Sequence, residues 1–221
     1  MMIHAVIFDM DGLLLDTERI LVDCWQQAAA QMGFPLTREH ALHIRSLAGE
    51  YAGPYLQSQL GPDFDYPAAR ARRKELMEER LKQEGLIPKP GGKELLTWLR
   101  QAGYKTAVAT ATDPERAKRY LEQVGLLPLL DRVICATMVP HGKPMPDVYQ
   151  FACHELGEEP AHCLALEDSP NGVLSAWRAG CRVIMVPDLT LPDPETASLL
   201  WATADNLTKV PALLQKKEEK L

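Results

Sequence analysis

The spacing of apolar positions changes abruptly near residue 17. Ala5-Val6-Ile7-Phe8 is an unbroken run of small, β-branched and aromatic side chains, the pattern of a strand buried on both faces. Beyond it, Ile20, Leu21, Cys24, Trp25, Ala28, Ala29 and Met32 recur at helical spacing as far as Gly33. Thr37 is placed to cap a second helix running through Leu47, a third is expected over 54–60, and 67–84 reads as a longer helix stopped by Gly85. No strand pattern interrupts 18–85. Those residues are therefore expected to form an all-helical inserted domain, followed by a linker at "IPKPGG" (87–92), where two prolines and two glycines oppose regular structure.

From residue 93 onward helix and strand patterns alternate. Helices are predicted over 93–103, 112–125, 146–157, 169–180 and 210–220, and strands over 104–110, 132–137, 162–168 and 182–187. Thr112 and Glu115 have the spacing of a capping box, with Gly125 closing that helix. The alternation predicts an α/β fold with a doubly wound, Rossmann-like parallel sheet and right-handed crossovers. Residues 1–17 and 86–221 would form this core, and 18–85 the helical cap domain.

Composition narrows the function classes. A net charge of -6 over 221 residues, with no basic stripe, argues against nucleic acid as a partner. The locally basic stretch 69–82 alternates in sign, as on a solvated helix face. Five scattered cysteines without a C-x-x-C pair fit a reducing compartment. The N-terminal apolar run has no basic flank and is cut by aspartates, so no signal peptide is expected. No apolar stretch approaches the roughly 18 residues that span a bilayer. A cytoplasmic monomer with no membrane partner is the expectation.

Ligands of a doubly wound sheet bind outside the carboxyl ends of its strands. There the first strand ends in Asp9-Met10-Asp11, the second in Thr110-Ala111-Thr112 and the fourth in Glu167-Asp168, while Lys143 lies in the loop after the third. Taken singly, these residues have plain structural readings. Asp9-x-Asp11 could be a turn, Asp16-Thr17 and Thr112 helix caps, Lys143 a surface lysine, and Glu167-Asp168-Ser169 a helix entry. Together at one sheet edge they read as a site. Gathered carboxylates call for a hard divalent cation, and Mg²⁺ suits a few carboxylates plus waters. A cation beside a carboxylate and a lysine points to phosphoryl chemistry. Asp9 would be the nucleophile forming an aspartyl-phosphate, and Asp11 the acid and base for the leaving alcohol and for water. Thr110 and Lys143 would hold phosphoryl oxygens, helped by backbone N–H groups.

The segments "DMDGLLLDT", "TAT", "GKPMPD" and "LEDSPNG" resemble, in order, the four motifs of the haloacid dehalogenase superfamily. The helical insert resembles the small cap of its β-phosphoglucomutase-like and sugar-phosphate phosphatase members. The resemblance implies metal ligation by Asp9, Asp168 and the Asp11 carbonyl, metal assistance by Glu167, and phosphate binding at Thr110, Ala111 and Lys143. It implies a Mg²⁺-dependent phosphatase of a small phosphorylated metabolite, expected to be a sugar phosphate, with a hexose-phosphate mutase as the alternative. Two departures favour the phosphatase. Asp113 stands where the mutase has a lysine gripping a second phosphate, which its charge would repel, and Leu21 stands where the mutase has a histidine. Arg45 and Glu50 are the candidates for reading the leaving group from the cap.

Overall fold

The computed structural model describes residues 2–218. Its sheet has six parallel strands in the order β3-β2-β1-β4-β5-β6. They are β1 (Ala5–Phe8), β2 (Lys105–Thr110), β3 (Arg132–Cys135), β4 (Cys163–Glu167), β5 (Arg182–Met185) and β6 (Ala202–Thr203). β1 sits inside the sheet, between β2 and β4, and its side chains are apolar on both faces. Val6 and Phe8 enter one hydrophobic layer with Val108, Leu164 and Leu166. Ala5 and Ile7 enter the opposite layer with Ala107, Ala109 and Ala165. The two-residue strand β6 is too short to leave a periodic signal, and the sequence does not predict it.

Core helices α5 (Gly92–Gln101), α6 (Pro114–Gln123), α7 (Asp147–Leu156), α8 (Pro170–Arg178), α9 (Pro194–Ser198) and α10 (Val210–Glu218) accompany the strands. Residues 219–220 of the predicted last helix lie outside the described residues. α6 departs from expectation at its start. Asp113, not Thr112, caps it by accepting the Arg116 N–H at 3.2 Å, since Pro114 at the first helical position fixes the entry one residue later.

Between β1 and α5 run α1 (Glu18–Gln31), α2 (Arg38–His43), α3 (Gly49–Leu60) and α4 (Tyr66–Glu84). They bury a cluster of their own around Trp25, Leu56, Phe64 and Tyr66. Thr37 caps α2 as expected, but the helix stops four residues before Leu47. Ser46 takes φ 60, and the backbone of residues 43–48 turns to the core instead. Asn171 Nδ2 donates to the carbonyls of His43 (2.8 Å) and Arg45 (2.9 Å), and Ala48 N–H donates to the Lys143 carbonyl (2.9 Å). Tertiary bonds outweigh helix propensity here. α3 starts a turn earlier than the proline suggested, with Pro54 inside it.

The two connections to the helical block lie side by side. Asp16 N–H donates to the Ile87 carbonyl and Lys89 N–H to the Leu14 carbonyl, both at 2.8 Å, so 87–89 is extended and paired, more regular than the linker expected there. Among the described residues, no helix is long and apolar enough to cross a membrane.

Candidate active site

β1 delivers Asp9 to the carboxyl edge of the sheet, where its N–H donates to the Leu166 carbonyl of β4 at 2.9 Å. That bond sets Asp9 beside Glu167 and Asp168, and the three carboxylates offer oxygens within 4.8 Å of one another. Lys143 Nζ enters the group from the loop before α7. It donates to Asp9 Oδ1 at 2.5 Å and to Glu167 Oε1 at 2.6 Å. Tyr149, from the first turn of α7, donates its hydroxyl to the same Glu167 oxygen at 2.6 Å. All five side chains are buried. Two oxygens in this network have no hydrogen-bond partner: Asp9 Oδ2 and Asp168 Oδ1.

Two glycines make room for the carboxylates. Gly12 has φ +87, and a Cβ there would run into the Asp168 carboxylate. A Cβ on Gly172 would collide with the Glu167 carboxylate. Burial pushes the Asp9 and Asp168 carboxyls well above the usual range, against the pull of Lys143 on the first and Arg45 on the second. Lys143 moves the other way. Burial alone would lower its pKa, but Asp9 and Glu167 raise it, so it stays charged.

Asp11 is held from two sides, by Thr17 Oγ1 on Oδ1 (2.7 Å) and Thr112 Oγ1 on Oδ2 (2.8 Å). Both hydroxyls read from the sequence as helix caps. Neither caps: α1 begins without a side-chain bond from Thr17, and Thr112 yields its cap position to Asp113. Thr110 is buried, and its Oγ1 accepts the Thr112 N–H at 3.0 Å, which leaves the hydroxyl hydrogen to donate. Ala111 lines the same cavity with Asp9, Asp11 and Thr110.

Arg45 and Glu50 part company. Arg45 is buried and reaches Asp168: Nη1 donates to Oδ2 at 3.2 Å, and Nη2 to the Asp168 carbonyl at 3.3 Å and to Thr190 Oγ1 at 2.7 Å. Glu50 lies outside the cavity, on the first turn of α3, 3.5 Å from His141 Nδ1. Asp113 also differs from its expected part. Its charge is paired with Arg116 (2.6 Å) and with Lys74 of α4 (3.7 Å), so it presents no bare negative charge to a second phosphate.

Glu18 is not singled out by the sequence, where it reads as an ordinary first-turn acid. It is buried against the site, and burial with the nearby Asp11 and Asp9 pushes its carboxyl up to about 8 despite Arg45. Tyr149 likewise reads as a core aromatic. Arg73 and Arg116, which line the cavity, read as solvated helix charges.

The doubly wound sheet, the inserted helices and the acid–lysine group at the strand ends define a class of hydrolase. The family of haloacid dehalogenase-like hydrolases matches residues 3–180, and the chain belongs to it. It is 30% identical over 218 residues to the phosphorylated carbohydrates phosphatase of Thermotoga maritima, covering 99% of this chain and 100% of the relative. It is 32% identical over 182 residues to hexitol phosphatase A of Escherichia coli, covering 81% of each. Its fold is similar to the crystal structure of CbbY from Rhodobacter sphaeroides in complex with phosphate. The TM-score is 0.77 at 27% identity, covering 95% of this chain and 96% of that one.

Proposed function

We propose that this enzyme is a Mg²⁺-dependent phosphatase of small phosphorylated carbohydrates, working through an aspartyl-phosphate on Asp9. The observation that carries the reading is the pair of orphaned oxygens, Asp9 Oδ2 and Asp168 Oδ1, in a buried acidic group. Leaving a buried polar atom unpartnered costs about 1–3 kcal/mol, more for charged groups. Four buried carboxylates (Asp9, Glu18, Glu167, Asp168) crowd round two buried cations, Lys143 and Arg45. A hard divalent cation would meet both deficits, and an all-oxygen donor set suits Mg²⁺. Asp9, Asp168 and the Asp11 carbonyl would hold it, with Glu167 behind. Bound there, it would neutralise phosphoryl charge as a Lewis acid.

The rest is done by the chain. Lys143 fixes the Asp9 carboxylate through Oδ1 and brings positive charge to the place where phosphoryl oxygens gather. The Thr110 hydroxyl donates to one of them. Asp9 attacks phosphorus and the ester oxygen leaves, taking a proton from Asp11. Asp11 then removes a proton from water, which attacks the acyl phosphate and frees Asp9 and inorganic phosphate. Thr17 and Thr112 orient Asp11 for both proton transfers.

The helical block 18–85 is proposed as a cap that opens and closes over this edge. The cavity beneath it is about 90 Å³, against about 300 Å³ at the low end of small-molecule sites. A sugar phosphate therefore enters only when the block moves, and closure excludes water from the donors. The relatives' names support carbohydrate phosphates as substrates, and a hexose-phosphate mutase is not favoured. A panel of phosphorylated sugars and polyols, assayed for inorganic phosphate with Mg²⁺ and with chelator, tests the proposal. Release from several members that stops with chelator is expected. Release from none would overturn it, and isomerisation without free phosphate would restore the mutase.

A further inference from the structure

The cavity that holds Asp9 and Asp11 has a second charged end. Arg70 and Arg73 of α4 and Arg116 of α6 line it beside Trp25 and Tyr66. Arg116 is 8% exposed, and its Nε is buried without a hydrogen-bond partner, although Nη2 donates to Asp113 Oδ2 at 2.6 Å. Arg73 Nε is buried and unpartnered too, with the guanidinium 5.0 Å from the centre of the Trp25 ring. Neither Arg70 nor Arg73 makes an ion pair among the described residues. At the other end Lys143 has two carboxylates and Arg45 has Asp168, although Arg45 Nε is also without a hydrogen-bond partner.

Packing three guanidiniums together with a single carboxylate, Asp113 on Arg116, costs twice, in unmet N–H donors and in mutual repulsion. Burial, Arg116 and Arg70 together bring Arg73 down to about 10, which still leaves it charged at neutral pH. Asp113 pairs with Arg116 and with Lys74, and it forms no ion pair with Arg70 or Arg73. A ligand oxyanion would supply both the missing acceptors and the missing charge, and a guanidinium donates to carboxylate or phosphate in the same planar geometry. The Trp25 ring keeps Arg73 turned to the cavity at little rotamer cost.

Building on the phosphatase reading above, we propose that Arg73 and Arg116 bind a second anionic group of the substrate, a carboxylate or a second phosphate. The preferred substrates are then phosphorylated carbohydrates that are anionic at both ends. The group at the arginine end is held and not transferred, and the phosphoryl group at the Asp9 end goes to water.

Steady-state kinetics with Mg²⁺ on a hexitol phosphate, a hexose bisphosphate and a phosphorylated sugar acid tests this, with p-nitrophenyl phosphate reporting the phosphatase itself. In the wild-type enzyme, kcat/KM is expected to be at least tenfold higher for one or both of the doubly anionic substrates, mainly through KM. Which of them gains shows whether phosphate or carboxylate is bound. Arg73→Gln should cut that ratio at least fivefold, and Arg73→Lys, which keeps the charge but not the planar donors, should recover part of it. Equal or better turnover of the hexitol phosphate by wild-type enzyme overturns the proposal without any variant having to fold. So does an Arg73→Gln enzyme that loses activity on all three substrates in proportion, the result expected if Arg73 only supports Trp25. If p-nitrophenyl phosphate is hydrolysed and the three substrates do not differ, the second subsite alone falls. If nothing is hydrolysed, the phosphatase reading falls and the subsite with it.

Discussion

Asp9 divides its work between two oxygens, one bound by Lys143 and one without a partner, and substitution by Asn separates the two. Asp9→Asn keeps the shape and a carbonyl acceptor for Lys143 but removes the proposed nucleophile, so phosphate release should become undetectable while the melting temperature changes little. Residual turnover in a preparation free of contaminating phosphatase would refute the covalent route. Asp11→Asn should lose about 10²–10⁴-fold in kcat, the range for one general acid–base. Arg45 carries a further expectation, because the proposed cation would bring a second positive charge to the Asp168 it already pairs with. Arg45→Ala should destabilise the cation-free protein by about 1–3 kcal/mol, as it leaves buried polar atoms of Asp168 without their partner. The same change should lower the Mg²⁺ concentration needed for half-maximal thermal stabilisation, and an unchanged midpoint would show that the two do not compete. These residues differ in how far the sequence announces them. Asp9, Asp11 and Asp168 stand in short contiguous motifs at strand ends, and Lys143 in one in the loop before α7. Glu18, Arg73 and Arg116 stand on helices, where a charge every three or four residues is what any solvated face displays, and only packing separates the buried ones.

Elements were legible where one force decided them. β1, β2 and β4 are apolar on both faces and could hardly be anything other than central strands. The ends of elements were less legible, because polar side chains there have a choice of partners. Thr17 and Thr112 could have capped helices, yet they serve Asp11, an option that for Thr112 exists only once β1 and β2 are adjacent. Residues 44–48 likewise leave the helix pattern for bonds to core loops. That docking gives a test of the cap at the scale of one loop. A Cβ on Gly142 would lie 2.7 Å from Ala48 Cβ, too close for either short side chain to yield. Gly142→Ala should therefore unseat the 43–48 segment and break the Ala48–Lys143 bond, raising KM and lowering kcat together, as hinge and closure variants do. Ala48→Gly in the same chain removes the clash and should restore both constants. Failure of that rescue would mean that the loss arises in the Lys143 loop and not in cap closure.

Over the whole molecule the site is a store of excess negative charge, and stability should reveal it. Without a cation, Glu18 takes up its proton at about 8, against 4.5 for its ordinary value, and Asp9 and Asp168 also hold theirs above the usual range. The folded chain thus binds more protons than the unfolded chain between roughly pH 4.5 and 8, so its stability falls as pH rises through that window. The loss should be on the order of a few kcal/mol, since each tenfold change in proton affinity is worth about 1.4 kcal/mol. At the acid end the sign reverses. Asp113 has its pKa lowered by Arg116, despite the opposing effect of burial, so its contribution is lost as pH drops below the ordinary carboxylate range. Chelator-treated protein should accordingly be most stable near pH 5 and melt at lower temperature toward pH 8. Mg²⁺ would bind the deprotonated ligands, so its stabilisation should grow with pH and flatten or invert the alkaline slope. Glu18→Gln removes one of the titrating groups and should reduce the slope in chelator. Melting temperatures measured from pH 4 to 9 with and without Mg²⁺ decide the matter. A chelated wild-type protein that grows steadily more stable from pH 5 to 8 would show that these carboxylates ionise freely in the folded state, and that their charge is already balanced within the chain.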